Sequence, residues 1–147
     1  MPITWILAAD SSRARIFELQ DMQDHLQEIE DFTNPAGRMD EKELRSDPYG
    51  RFYGQGGRYQ ANTGEPDQSR QEHAAELFSK RVSEFLDHAC SEHRYDKLCL
   101  IAYPKFLGLM RSNFSKQVQQ RVEEEVSKDI SGLEARDIEE YVRNRLH

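Results

Sequence analysis

Three groupings of residues in this chain have the type and spacing to do chemistry. The first is Asp10, which closes the apolar run ITWILAAD. Metal-dependent nucleases gather carboxylates at strand ends to hold two divalent ions, and such a site needs acidic partners at neighbouring strand ends. The other strongly apolar run closes on Ala102 and Tyr103, and Glu18 and Asp96 are near Asp10 only through the chain. The simpler role for Asp10 is a turn cap at a strand end. The second grouping is Tyr103, Lys105 and Arg111 around Pro104. A helix N-terminus beside a lysine suits a phosphate or carboxylate, so Lys105 and Arg111 are candidate anion ligands. The third is residues 48–64, PYGRFYGQGGRYQANTG, which contain no acidic residue. Arg51 and Arg58 suit phosphates, Tyr49, Tyr53 and Tyr59 suit stacking on unpaired bases, and Gly56 and Gly57 let backbone approach closely. The plainer alternative is a flexible loop whose tyrosines lie on the domain surface. Acidic residues flank the stretch at Asp40, Glu41, Glu43, Asp47, Glu65 and Asp67.

Other chemistries lack their patterns. His88 and His93 are five apart, off the i, i+4 spacing that puts two ligands on one helical face, and no H-E-x-x-H occurs. No metal site and no cofactor are expected. Gly54-Gln55-Gly56-Gly57 matches neither the P-loop nor the dinucleotide fingerprint, and there is no serine nucleophile elbow. Cys90 and Cys99 form no CxxC and read as two reduced core thiols.

The elements that must position these groups follow from apolar patterning. At 147 residues the chain is expected to form one domain, 1–147. No run of 18 apolar residues predicts a membrane span. The first ten residues lack the basic region and the apolar length of a signal peptide, so a cytoplasmic location without membrane association is expected. A net charge of −7 disfavours nucleic acid unless positive charge is locally segregated.

Residues 98–103 are apolar without alternation, as in a strand covered on both faces, and Pro104 stops the strand and opens a helix. In α/β sheets such a junction is the usual place for a site. Residues 3–10, 13–19 and 25–32, with short connections, predict an antiparallel three-stranded meander, although the spacing of the third also admits a helix. A loop of about 34–68 follows. Ser69-x-x-Glu72 has the pattern of a capping box opening a helix to about His93, with Ala74, Phe78, Val82, Phe85 and Ala89 on one face. After the 104 helix come a helix at 116–125, a short edge strand at 126–130, and a last helix at 135–146 opened by the box Ser131-x-x-Glu134. Ile138, Tyr141, Val142 and Leu146 form the apolar stripe of that last helix. The order βββ–loop–α–β–α–α–β–α predicts an α/β fold in which a mixed sheet, an antiparallel meander plus parallel strand, is flanked by helices, as in the ribonuclease H-like arrangement.

TWILAADSSRARIFEL at the start, SDPYGR in the loop, LCLIAYPKFLGLMR in the middle and VSKDISGL before the last helix, in this order, resemble the bacterial host attachment protein family. That family is in turn similar to the middle domain of archaeal and eukaryotic peptide release factors, which carries a Gly-Gly-Gln tripeptide on a long loop between its sheet and a long helix. Here the matching loop contains Gly56-Gly57, and Arg58 stands where the glutamine would be. The resemblance implies a release-factor-like contact with the ribosome or tRNA through residues 48–64, without glutamine-dependent hydrolysis. It also implies that the attachment label is a phenotype. Two alternatives stay open: a hydrolase of an ester or phosphodiester using Asp10 or the Lys105 junction, and a module that binds a protein partner and affects attachment indirectly.

Overall fold

The computed structural model describes residues 2–20, 25–35 and 64–146. Strands β1 (Thr4–Ala9), β2 (Arg13–Leu19) and β3 (Gln27–Thr33) form the antiparallel meander. Helix α1 (Gly64–Ser91) leads to β4 (Lys97–Ala102), then α2 (Pro104–Asn113), α3 (Lys116–Arg121), β5 (Val122–Ser127) and α4 (Ala135–Leu146). The sheet order is β3-β2-β1-β4-β5, with β4 parallel to both β1 and β5. Element order and the mixed sheet are as the sequence predicts.

The pleat sorts the apolar residues into two cores. Trp5, Leu7, Ala9, Leu98, Leu100 and Ala102 face α1, α2 and α3, where they meet Phe78, Val82, Leu86, Phe106, Met110 and Val118. Ile6, Ala8, Phe17, Cys99 and Ile101 face the other way and meet Ile138 and Val142 of α4. The unbroken apolar runs of β1 and β4 follow from this, because both central strands are covered on both sides. The two cysteines are buried and free, and they belong to opposite cores. Burial pushes the Cys99 thiol up to about 12, which fits a packing role.

Three boundaries and one cap differ from the sequence expectations. Helix α1 starts at Gly64, so Ser69 and Glu72 lie inside it and do not cap it, and residues 64–68 of the expected loop are helical. Pro66 suits a first turn, where its missing N–H has no intrahelical partner to lose. At the other end the helix stops at Ser91. His93 takes a positive φ of 59°, and the Arg94 amide turns back to the Ala89 carbonyl at 3.0 Å. Near the C-terminal end, α3 is only six residues long, and the strand expected at 126–130 is β5, from Val122. Three consecutive glutamates favour a helix there, but pairing with β4 prevails because each finds a cation. Lys97 lies 3.4 Å from Glu123, Arg145 lies 2.9 Å from Glu124, and Arg111 pairs with Glu125. Finally, Ser131 does not cap α4: its hydroxyl donates to Asp129 Oδ1 at 2.9 Å. The first helical bonds of α4 run to the Glu134 carbonyl, so Glu134 holds the N-cap place.

Candidate functional site at the carboxyl end of the sheet

The parallel strands β1 and β4 end side by side. The Tyr103 amide donates to the Ala9 carbonyl at 3.1 Å, fastening the two strand ends together. Pro104 then opens α2, and the Leu107 amide makes the first helical bond, to the Tyr103 carbonyl at 2.8 Å. Phe106, Leu107 and Met110 bury one face of α2, so its other residues are left to line an opening. That opening is a cleft of about 580 Å³ between α1 and α2, floored by Ala75, Phe106 and Leu109. Ser11, Tyr103 and Gly108 complete its wall, and a Cβ added at Gly108 would meet nothing within 4 Å. The cleft lies where α/β sheets place their ligands, outside the carboxyl ends of parallel strands.

Its charge is acidic. Glu72 and Glu76, one turn apart on α1, line it together with Lys105, whose ammonium lies 3.7 Å from the Glu72 carboxylate. The sequence reading missed these two glutamates, although their i, i+4 spacing on a helix was a signal for a shared face. The structure does not bring the two candidate anion ligands together. Lys105 lines the cleft and is paired, whereas Arg111 pairs with Glu125 of β5.

Asp10 organises the turn between β1 and β2. Its Oδ1 accepts from the Ser12 amide at 2.8 Å, the Ser12 hydroxyl at 3.0 Å and the Arg13 amide at 2.9 Å. A carboxylate oxygen with three donors on its own turn serves as a turn cap. Among the described residues no group of three His, Cys, Asp or Glu side chains is placed to hold a metal ion. His25 and His88 each face a glutamate, Glu139 at 2.8 Å and Glu92 at 3.2 Å.

Tyr49, Arg51, Tyr53, Gly56, Gly57, Arg58 and Tyr59 lie outside the described residues. The residues that bracket them are placed. Asn34, next after β3, donates through its amide to the Ser12 carbonyl at 2.9 Å and through Nδ2 to the Ser11 carbonyl at 2.9 Å and the Ala74 carbonyl of α1 at 3.4 Å. The chain therefore leaves the sheet beside the cleft wall at Ser11, and it re-enters at Gly64 in the helix whose Gln71, Glu72, Ala75 and Glu76 line the same cleft.

A five-stranded mixed sheet with α1–α3 on one face and α4 on the other, and a cleft where its parallel strands end, makes this an α/β protein of three layers. The chain belongs to the family described as protein required for attachment to host cells, whose model matches residues 5–142. No curated protein matches it. Among the described residues no helix is long and apolar enough to cross a membrane.

Proposed function

We propose that this member of the host attachment family is a non-enzymatic binding module that engages the ribosome or tRNA through residues 48–64. In this reading the domain is kin to the release-factor middle domain and to the ribonuclease H-like folds. The observation that carries the proposal is the composition of that stretch: 17 residues without an acidic side chain, holding Arg51, Arg58 and four aromatics, in a chain of net charge −7. Local segregation of positive charge is what lets an acidic protein approach a phosphate backbone. The element order supports the reading, because this part of the chain falls between the strand β3 and a 28-residue helix. Arg51 and Arg58 would contact phosphates, and Tyr49, Tyr53 and Tyr59 would stack on unpaired bases. The role in host attachment would then follow from an effect on translation.

Co-sedimentation with purified ribosomes across a salt series tests this. Saturable binding that weakens with salt, and drops in the Arg51→Ala/Arg58→Ala variant, is the expected result. Absence of binding at low salt, where phosphate contacts are strongest, would sink the reading.

A further inference from the structure

Helix α1 carries charge of both signs on the flank toward α2, where Lys80 stands beside Glu84 and Asp87 in a small pocket. Glu72 and Glu76 line the cleft toward α2, and Asn113 and Ser115 complete the smaller pocket. The opposite flank, toward β3, carries Arg81. Its guanidinium carbon stands 5.5 Å from the Phe32 ring centre and 5.6 Å from that of Phe78. Phe32 packs edge-on against Phe85 at 5.3 Å, and Arg94 stands 5.7 Å from the Phe85 ring centre and 5.1 Å from that of Trp5. The result is a continuous ladder, Arg81–Phe32–Phe85–Arg94–Trp5, built from β1, β3, α1 and the turn before β4. Both arginines are exposed, and both phenylalanines are half-buried. Neither guanidinium has a carboxylate within ion-pairing distance or a hydrogen-bond acceptor among the described residues. Arg15, Arg111 and Arg145, in contrast, are each paired with a glutamate. The nearby Glu18 is engaged by the Trp5 indole at 3.1 Å and by Gln20 at 2.9 Å.

We infer that this ladder is a second contact surface for single-stranded RNA, taking phosphates on Arg81 and Arg94 and a base against the half-buried rings. This rests on the RNA-binding reading above and extends it to a different face of α1. Stacking holds each guanidinium in place without using its N–H groups, so these stay available for phosphate oxygens at little cost in ordering. The ladder also adjoins the point where the chain leaves β3: Phe32 is two residues before Asn34, which is bonded to α1 at Ala74.

The test is fluorescence anisotropy of a labelled 12-nucleotide oligouridylate with the full chain, across a salt series. The intrinsic emission of Trp5, the one tryptophan, is followed in parallel because Arg94 lies over its ring. Arg81→Gln/Arg94→Gln is expected to weaken binding about tenfold at low salt and to lower the slope of log K against log salt by about 1.4, or roughly 0.7 per lost phosphate contact. Arg81→Lys/Arg94→Lys, which keeps the charge, should retain most of that slope, and thermal unfolding confirms that each variant is folded. Unchanged affinity and slope in Arg81→Gln/Arg94→Gln, with loss only in Arg51→Ala/Arg58→Ala, would overturn the ladder and leave the earlier reading standing. The reverse pattern would support the ladder and remove residues 48–64 as the contact. Absence of wild-type binding, or equal binding of heparin and RNA, would overturn the ladder as an RNA surface.

Discussion

The two faces of the sheet close in different ways. Under α1–α3 the contact is dense and aromatic: Trp5 stacks on Tyr95 at 4.7 Å, Phe78 lies against Phe106 at 5.7 Å, and the Tyr95 hydroxyl donates to the Leu86 carbonyl at 2.8 Å. Burial raises the Tyr95 pKa, so the phenol stays neutral. Under α4 the apolar contact is smaller, with Ile138 and Val142 as the buried side chains among the described residues of that helix, and polar clamps complete it. Arg15 reaches from β2 to the carbonyls of Ser131 and Leu133 and also holds Glu28 at 2.8 Å. Glu139 of α4 takes His25 at 2.8 Å and the Leu26 amide at 3.1 Å, and these bonds hold its carboxyl below the usual range. The three helices have polar ties as well, chiefly among themselves, where Asp87 of α1 accepts from Ser115 at 2.6 Å and from Gln117 at 2.8 Å. The single 12-residue helix α4 is instead tied to the sheet side, by charge-assisted bonds to β2 and to the chain before β3.

That contrast can be broken by truncation on each side. Trp5→Ala should cost about 3–5 kcal/mol in denaturant unfolding, because a fully buried ring in a close-packed core leaves a cavity. Ile138→Ala should cost less, about 2–3 kcal/mol, because a single covering helix can settle onto the space left behind. Equal losses would mean that α4 is as firmly packed as α1–α3, and the contrast would fail.

Arg15→Ala probes the clamp. It leaves two carbonyls and Glu28 without their donor, and a loss of about 1–3 kcal/mol is expected from the same unfolding measurement. The loss should be accompanied by faster amide exchange in residues 128–134. A loss near zero would show that the apolar contact of α4 suffices alone.

The smallest effect is a pH dependence confined to the α4 face. A β-bulge in the β2–β3 pairing, at Ile29, lets Glu28 and Asp31 both approach Arg15. Burial, and then the Glu28 carboxylate, push the Asp31 carboxyl up to about 6. Its folded pKa lies above the unfolded value near 3.9, so the folded state binds the extra proton between about pH 4 and 6. Stability from this group therefore rises as pH falls through that window and is lost above it. Asp31 is exposed, so solvent screening holds the effect to under about 1 kcal/mol. Asp31→Asn should raise the midpoint temperature slightly at pH 7 and make no difference at pH 4. A gain at pH 4 as large as that at pH 7 would rule out titration as its cause.

Much of the fold was legible in the chain. The apolar runs of β1 and β4 announced central strands covered on both faces, and Pro104 marked the strand-to-helix junction that forms one end of the cleft. The Asp10 turn was legible as well, since an aspartate followed by Ser-Ser is a local signal satisfied by local amides. Boundaries were misjudged where a distant partner outweighed local preference. Glu123–Glu125 favour a helix, yet they enter a strand because Lys97, Arg145 and Arg111 arrive from three other elements. The start of the last helix at Ala135 is where the sequence places it, and only its cap differs: Ser131 bonds locally to Asp129, and Glu134 takes the N-cap place. The Arg81–Arg94 ladder carried little signal, since the only stacked pair close in the chain is Phe78 and Arg81, three residues apart on α1.

The amino-acid sequence by itself determined the order of the elements, the two-sided burial of the central strands and the acid-free composition of residues 48–64. Each of these is a property of neighbouring residues and their period. Tertiary structure alone decided the α1–α2 cleft with Glu72 and Glu76 in its wall, the separation of Lys105 from Arg111, and the stacking of Arg81 and Arg94 on rings from β3, α1 and β1. These depend on contacts between residues far apart in the chain, and only the assembled sheet, with its register and its covering helices, brings such residues within reach.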